Sequence, residues 1–394
     1  MKFLHLILVF LLYSNSSFSQ NSPQNNFSTI DKKVLKIPKS MTQSTDLIAS
    51  YIKSHFKSDQ DKSRAVFVWV ATNISYEIDY LYDVTENRDK KILRSLKSRK
   101  GICENYAALF TEICNKVGLQ SYVIEGYTKQ NSNISTQSHA WSAALVDGVW
   151  YLYDPTWSAG FVKNGKFIKK MNDDFFQQHP EDYLASHMPF DYLWQFSNSP
   201  ISNQDFCSEK INITSNIKKF DFQKALKIHQ QQTYEEKLKS SAERVEDNGV
   251  QNNLIRKQLT YLKTAIDHAH QNKVVNLYNA AAAHYNEALT ALNNFIEIRN
   301  KSSRQTASDH SLKNMVAKAE VDISTASEIL NSLPTANPKT TLAANRLRRS
   351  VISVNVDVQK QKQWLKNYLR EDKNGRRDRF NKRTASVLSS RKRS

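Results

Sequence analysis

The chain has only three cysteines, Cys103, Cys114 and Cys207, among 394 residues. An odd count excludes a disulfide framework that uses every thiol and leaves at least one of them free. Cys103 and Cys114 fall on one predicted helix, roughly 16 Å apart by rise, which is too far for a bridge; a Cys114–Cys207 bridge stays open. Zinc-type spacing of cysteine and histidine is absent. His268, His270 and His284 fall on predicted helix surfaces, so neither a metal nor a cofactor is expected. Beyond an N-terminal apolar run, no stretch is long enough to span a bilayer. Acid is short as well: 38 Asp and Glu stand against 56 Lys and Arg, a formal net charge of +18.

The two ends carry signals of their own. Lys2, the apolar run from Phe3 to Tyr13, and Ser17-Phe18-Ser19 read as a signal peptide over residues 1–19. Cleavage is expected near Ser19/Gln20, giving an exported protein that is periplasmic, outer-surface or secreted. No cysteine follows the run closely, so a lipidated cysteine is not expected. At the other end, residues 370–394 collect much of the basic excess, from Arg370 to Arg393, and read as a disordered tail. Such a tail binds an anionic surface, with lipopolysaccharide, acidic polymers or phospholipid head groups fitting an exported protein better than nucleic acid. A purely solubilising extension is the alternative.

From about Phe220 the strand-like alternation stops. Apolar residues recur at helical spacing from Leu254 to Ile296, with a step of seven through Tyr278, Tyr285 and Leu292. Further helices are predicted over about Ser311–Leu333 and Leu342–Leu369. Three antiparallel helices would bury these stripes, so residues 206–369 are expected to form an all-α bundle or coiled-coil region. No repeat of about 34 residues is visible. Nor does this half hold a cluster of acid, base and nucleophile, so the chemistry must lie upstream.

There the chain supplies a cysteine, a histidine and an acid in order. Cys103 follows Lys100-Gly101-Ile102 where an amphipathic helix begins and runs to a stop at Gly118. A helix start offers free N–H groups and a positive dipole end, which favour thiolate. The backbone N–H of Cys103 is also a candidate oxyanion donor. His139 and Asp154 lie on two apolar arms joined by Asp147-Gly148, the preferred pair for a type I′ turn. That turn sets Val146 against Val149, Ala144 against Tyr151 and Trp141 against Asp154. With a period of two, His139 and Asp154 then share a face as diagonal neighbours. A slip of one residue would put them on opposite faces. Cys103 as nucleophile, His139 as base and Asp154 as orienting acid is the layout of a papain-type cysteine enzyme. A small buried core cysteine is the competing account of Cys103.

Several segments together resemble the transglutaminase-like superfamily. GICENYAALFTEICNKVGLQSYVIEGY, from Gly101, resembles its cysteine helix and following strand. SHAWSAALVDGVWYLYDPTW is similar to its histidine and aspartate segments. KSRAVFVWVATNISYEID resembles its leading helix and turn. HPEDYLASHMPFDYLWQF is similar to the tail of a secreted bacterial branch related to kyphoscoliosis peptidase and cytokinesis-type proteins. The resemblance covers roughly residues 45–205 and implies a papain-like α+β fold with a cysteine helix packed on an antiparallel sheet. It implies the roles of Cys103, His139 and Asp154 given above. The expected organisation is a signal peptide (1–19), an N-terminal segment (20–44), a catalytic domain (45–205), the helical region (206–369) and the tail (370–394).

The superfamily includes peptidases, amidases, cross-linking acyl transferases and non-catalytic members. The leading expectation is an exported cysteine-dependent amide hydrolase or peptidase that works through a thioester on a protein or peptide of the cell envelope. A protein-glutamine transglutaminase would use the same triad, with an amine in place of water. A cell-envelope binding or scaffold protein that keeps the fold is the third class.

Overall fold

The computed structural model describes residues 27–79, 87–130, 132–208, 219–300, 307–372 and 374–376. The expected signal peptide and the tail beyond Arg376 lie outside the described residues. The chain divides into two compact units: residues up to Leu226 with Asp247–Ile255, and Lys227–Glu246 with the residues from Arg256 onward.

The first unit begins with α1 (Ser28–Val34), α2 (Thr45–His55) and α3 (Asp59–Asn73). Ser44 and Ser58 cap α2 and α3, their hydroxyls accepting from Leu47 N at 3.2 Å and Asp61 N at 3.1 Å. Every residue of α3 from Ala65 to Ala71 is buried, as expected of a helix that is apolar all round. After β1 (Ser75–Tyr76) come α4 (Arg88–Ser98), β2 (Lys100–Gly101) and α5 (Cys103–Val117), which ends at Gly118. Parallel pairing of β1 with β2 sets Tyr76 against Gly101. That short ladder carries Tyr76 to the start of α5.

The sheet follows: β3 (Ser121–Gln130), β4 (Asn133–Val146) and β5 (Val149–Tyr153). Next are α6 (Pro155–Ala159), a separate hairpin of β6 (Gly160–Lys163) and β7 (Lys166–Lys169), α7 (Pro180–Tyr183), β8 (His187–Pro189) and α8 (Asn203–Cys207). Strand order is β5-β4-β3-β8, with every pairing antiparallel. Val146 faces Val149 and Ala144 faces Tyr151, the register that the turn residues predict. Asp147 and Gly148 take the positive φ of a type I′ turn, 50° and 80°. β8 can lie beside β3 only because residue 126 is glycine: a Cβ there would come within 2.2 Å of Met188 O.

α5 packs on β3 and β4. It buries Tyr106, Leu109, Phe110 and Ile113 in a core shared with α2 and α3. The fold is therefore α+β, with the cysteine helix on an antiparallel sheet. All three cysteines are free, so the Cys114–Cys207 bridge left open by the sequence does not form. Cys114 is buried in the same core, and burial pushes its thiol well above the ordinary range.

Downstream lie α9 (Phe222–Gln231), α10 (Tyr234–Asp247), α11 (Asn253–Asn300), α12 (Asp309–Asn331) and α13 (Pro338–Leu369). The last three match the predicted helices, except that α13 starts four residues early. Proline needs no N–H donor at a first helical position, and the Asn337 side chain caps the turn by accepting from Thr340 N at 2.9 Å. In the second unit Ala281, Ala288 and Leu292 of α11 pack against Ala319, Ile323 and Ala326 of α12 and Val351 and Val358 of α13. Tyr278 and Tyr285 flank this core rather than fill it. At the start of the basic tail, Arg376 pairs with Asp309 at 3.1 Å and lies over the Tyr368 ring.

One buried cation ties the first unit together. Arg64 of α3 is 3% exposed and pairs with Asp31 of α1 at 2.7 Å and Asp173 at 2.6 Å. Its guanidinium also lies over the Phe27 and Phe176 rings. Burial works against its charge, but the two carboxylates outweigh it and hold the group above its ordinary value. Arg64→Leu removes the link between α1, α3 and the Asp173 loop. It should cost about 2–4 kcal/mol in urea unfolding followed by tryptophan fluorescence, and a cost below about 0.5 kcal/mol would show that the three segments hold together without it.

Candidate active site

The start of α5 is pinned from behind. Asn105 is buried, and its Oδ1 accepts from Ile102 N at 2.9 Å. At Gly101 a Cβ would meet Asn105 Cβ at 2.6 Å, so the glycine lets this turn close. Lys91 of α4 pairs with Glu104 at 2.7 Å. These contacts fix Cys103 as the first residue of α5, at the positive end of the helix dipole.

His139 lies on β4 opposite Gly126. Its Nε2 is 2.7 Å from Asp154 Oδ2. That leaves Nδ1 uncommitted to Asp154, and Cys103 lies near enough to help raise the ring's pKa and lines the same cleft as the ring. Asp154 follows β5 as the N-cap of α6, where Oδ1 accepts from Thr156 N at 2.8 Å and Trp157 N at 3.1 Å. Pro155 occupies the first helical position, the one place where its missing N–H costs nothing. The Asp154 side chain is fully buried while that of His139 is 10% exposed.

The structure adds a residue that the sequence reading passed over. His187 of β8 is fully buried, and its Nε2 lies 3.4 Å from Asp154 Oδ2. Its Nδ1 is 2.7 Å from Ser186 Oγ. The ring is enclosed by Tyr183 (centroids 4.2 Å apart), Trp157 (4.6 Å), Trp141 (5.1 Å) and Phe175 (5.4 Å). A histidine next to Met188-Pro189, far along the chain from the hairpin, gives no local signal of this role. β8 reaches the site only through long-range pairing with β3.

These groups set one another's protonation. Burial alone would raise the Asp154 carboxyl, but the charge and hydrogen bond of His139, with the His187 bond, hold it well below the usual carboxylate range. For His139, burial works against the charge, and Asp154 and then Cys103 outweigh it, so its pKa is pushed up to about 10. Burial dominates at His187 and lowers it to about 4 despite Asp154. At neutral pH the arrangement is an imidazolium, a carboxylate and a neutral imidazole.

His139, Asp154 and His187 each offer a ligand atom within 4.8 Å of the others. Around a tetrahedral zinc with bonds of about 2.0–2.1 Å, ligand atoms sit roughly 3.3 Å apart. The 2.7 Å separation of His139 Nε2 and Asp154 Oδ2 is instead a hydrogen-bond distance. Both imidazoles aim at one carboxylate oxygen rather than at a common void, so the cluster fits protons better than an ion. Of the other histidines, His270 contacts Thr335 O and His284 contacts Asp322.

Cys103 and His139 open into a cleft of about 950 Å³ whose walls include Tyr76, Trp157, Phe161 and Val162. With a cysteine sulfur, an imidazolium and an N-capped carboxylate at its floor, the cleft has the parts needed for nucleophilic attack on a carbonyl and protonation of a leaving group.

Residues 47–155 match the Transglutaminase-like superfamily. The mouse kyphoscoliosis peptidase is 30% identical over 160 residues, 38% of this chain and 24% of that protein. The human kyphoscoliosis peptidase is 29% identical over 172 residues, 41% of this chain and 25% of that one. The chain thus spans about a quarter of the length of these curated relatives. A solved structure described as a TGase is 19% identical, covering 40% of this chain and 38% of its own, with a TM-score of 0.24.

The raised pKa of His139 has a definite sign in stability. Its contribution is fully present below the unfolded imidazole value of about 6.5 and is lost as pH rises through about 10. The contribution of Asp154 is present above its unfolded value of about 3.9 and is lost as pH falls. The melting-temperature advantage of the wild type over His139→Gln should therefore be largest between about pH 4 and 6.5 and shrink toward about pH 10. An advantage that stays constant over this window would contradict the assigned imidazolium.

Proposed function

We propose that this protein is a cysteine-dependent amide hydrolase or peptidase acting through a thioester. The observation that supports this reading most is the His139 Nε2–Asp154 pair at 2.7 Å in the cleft that Cys103 also lines; in this reading the other ring nitrogen, Nδ1, serves Cys103. In the first step the Cys103 thiolate attacks the amide carbonyl carbon, and the oxyanion is met by the Cys103 N–H at the start of α5. Tyr76, which lines the cleft beside Cys103, is the second oxyanion donor in this reading. The His139 imidazolium then gives its proton to the leaving amine as the C–N bond breaks. His139, now neutral, takes a proton from water, which attacks the thioester and releases the acid and Cys103. Asp154 remains ionised throughout and orients the ring.

An amine attacking the same thioester would make the protein a transglutaminase, and the acceptor decides between the two. The same reading carries two further proposals: residues 1–19 direct export, and the basic tail holds the protein on an anionic envelope surface. Cell fractionation tests the first. Sedimentation with anionic vesicles, using a chain that ends at Arg376 so that its Asp309 pair is kept, tests the second.

The catalytic test is a release assay on a glutamine-containing peptide, run in water alone and with a primary amine added. Hydrolysis should predominate. Cys103→Ala should abolish turnover, and Tyr76→Phe should lower kcat about 10- to 1000-fold with little change in KM. Amine incorporation outrunning hydrolysis would point to the transglutaminase. Turnover that survives Cys103→Ala would overturn the enzyme reading at this site.

A further inference from the structure

We propose that the β6–β7 hairpin is the substrate-selecting arm of the cleft and that it favours an extended peptide carrying an apolar residue flanked by acidic ones. The inference rests on the enzyme reading of the same cleft. From Gly160 to Asn172 the chain holds four lysines and no acid. Strand register sets Phe161 against Ile168 and Lys163 against Lys166. Residues two apart on a strand share a face, so these four side chains project together. Phe161 and Ile168 remain 47% and 42% exposed. Like charges placed directly opposite each other weaken a hairpin. Among the described residues, neither Lys163 nor Lys166 has an ion-pair partner.

The arm is anchored where it meets the site. Gly160 starts β6 at φ 156°, and a Cβ there would lie 2.1 Å from Ile168 O. Lys170 N and Asn172 N donate to Ala159 O and Ser158 O, fastening the return strand to α6. Phe167 packs against Tyr76 with ring centroids 6.3 Å apart. Phe161 and Val162 line the cleft that holds Cys103. Of the exposed face, Phe161 reaches the cleft wall, while Ile168, Lys163 and Lys166 continue that face outward beyond the lining residues, where the flanks of a bound peptide would run. Asp174 is the carboxylate among the cleft's described lining residues.

Lysines also guard short edge strands against pairing with other chains. That purpose does not account for Phe161 and Ile168 on the same exposed face, because they raise the tendency to associate. An acidic peptide with an apolar residue satisfies both pairs at once: carboxylates relieve the Lys163–Lys166 repulsion, and the apolar side chain covers the Phe161–Ile168 surface.

The test uses the full chain carrying Cys103→Ala. Two fluorescein-labelled peptides share a Val-Gln-Val core and differ only in glutamate or lysine flanks. The glutamate peptide should bind about tenfold more tightly at low salt, a gap that closes as salt rises. Lys163→Gln with Lys166→Gln should reduce the gap to about twofold. The same change at Lys53 and Lys97, exposed on other helices, should leave it intact. No preference in the parent, or an equal preference after the hairpin change, overturns the proposal. So does a hairpin variant that self-associates while its preference persists, which would make the lysines edge guards only. With Cys103 restored, charge-selective binding without turnover of either peptide counts against the enzyme reading and leaves the hairpin assignment standing. Turnover of both peptides with equal kcat/KM does the reverse.

Discussion

The site depends on one carboxylate. Asp154 is buried, and its two oxygens accept from four donors: the Thr156 and Trp157 backbone N–H groups on one, His139 and His187 on the other. Buried without partners, a carboxylate would take up a proton. Here the α6 N-terminus and two imidazoles keep it charged, and the charge in turn keeps His139 protonated next to Cys103. Each element that reaches the site brings one of these groups: β5 and α6 the carboxylate, β4 and β8 the two imidazoles, α5 the thiol.

That arrangement makes demands on the backbone. The residue after Asp154 is a proline that can begin a helix without a donor. Gly126 lets β8 approach β3 closely enough to deliver His187. The aromatic enclosure is not fully satisfied: Trp141 Nε1 and Tyr183 Oη are buried with no hydrogen-bond partner. Orphaned groups of this kind cost about 1–3 kcal/mol each. The rings nonetheless exclude water from His187, which keeps that imidazole neutral and its N–H available to Asp154.

Much of this was legible in the sequence where the signal is local. The Asp147-Gly148 turn fixes parity, and parity places His139 and Asp154 together. Gly101 and the apolar spacing after it locate the start of α5. What the sequence concealed depends on long-range pairing or on polar helices. His187 has no periodic context and arrives only through β8. α9 and α10 are short and lie in a stretch of mostly polar residues, although Leu238, Ala242 and Val245 form a buried stripe at i, i+4, i+7 on α10. Thr233 and Glu236 also carry a capping box, with Thr233 N donating to Glu236 Oε2 at 2.8 Å. The predicted start near Leu342 also misses the first turn of α13, which begins at Pro338.

The central claim is that Cys103 is a nucleophile because His139 and Asp154 hold it ready. Intact-protein mass spectrometry after brief exposure of the native chain to a chloroacetamide amide mimic tests it most directly. The account predicts a single adduct, mapped to Cys103, that is largely lost in His139→Ala, while buried Cys114 reacts only on unfolding. Labelling of Cys103 no faster than Cys207, or unaffected by His139→Ala, would contradict it.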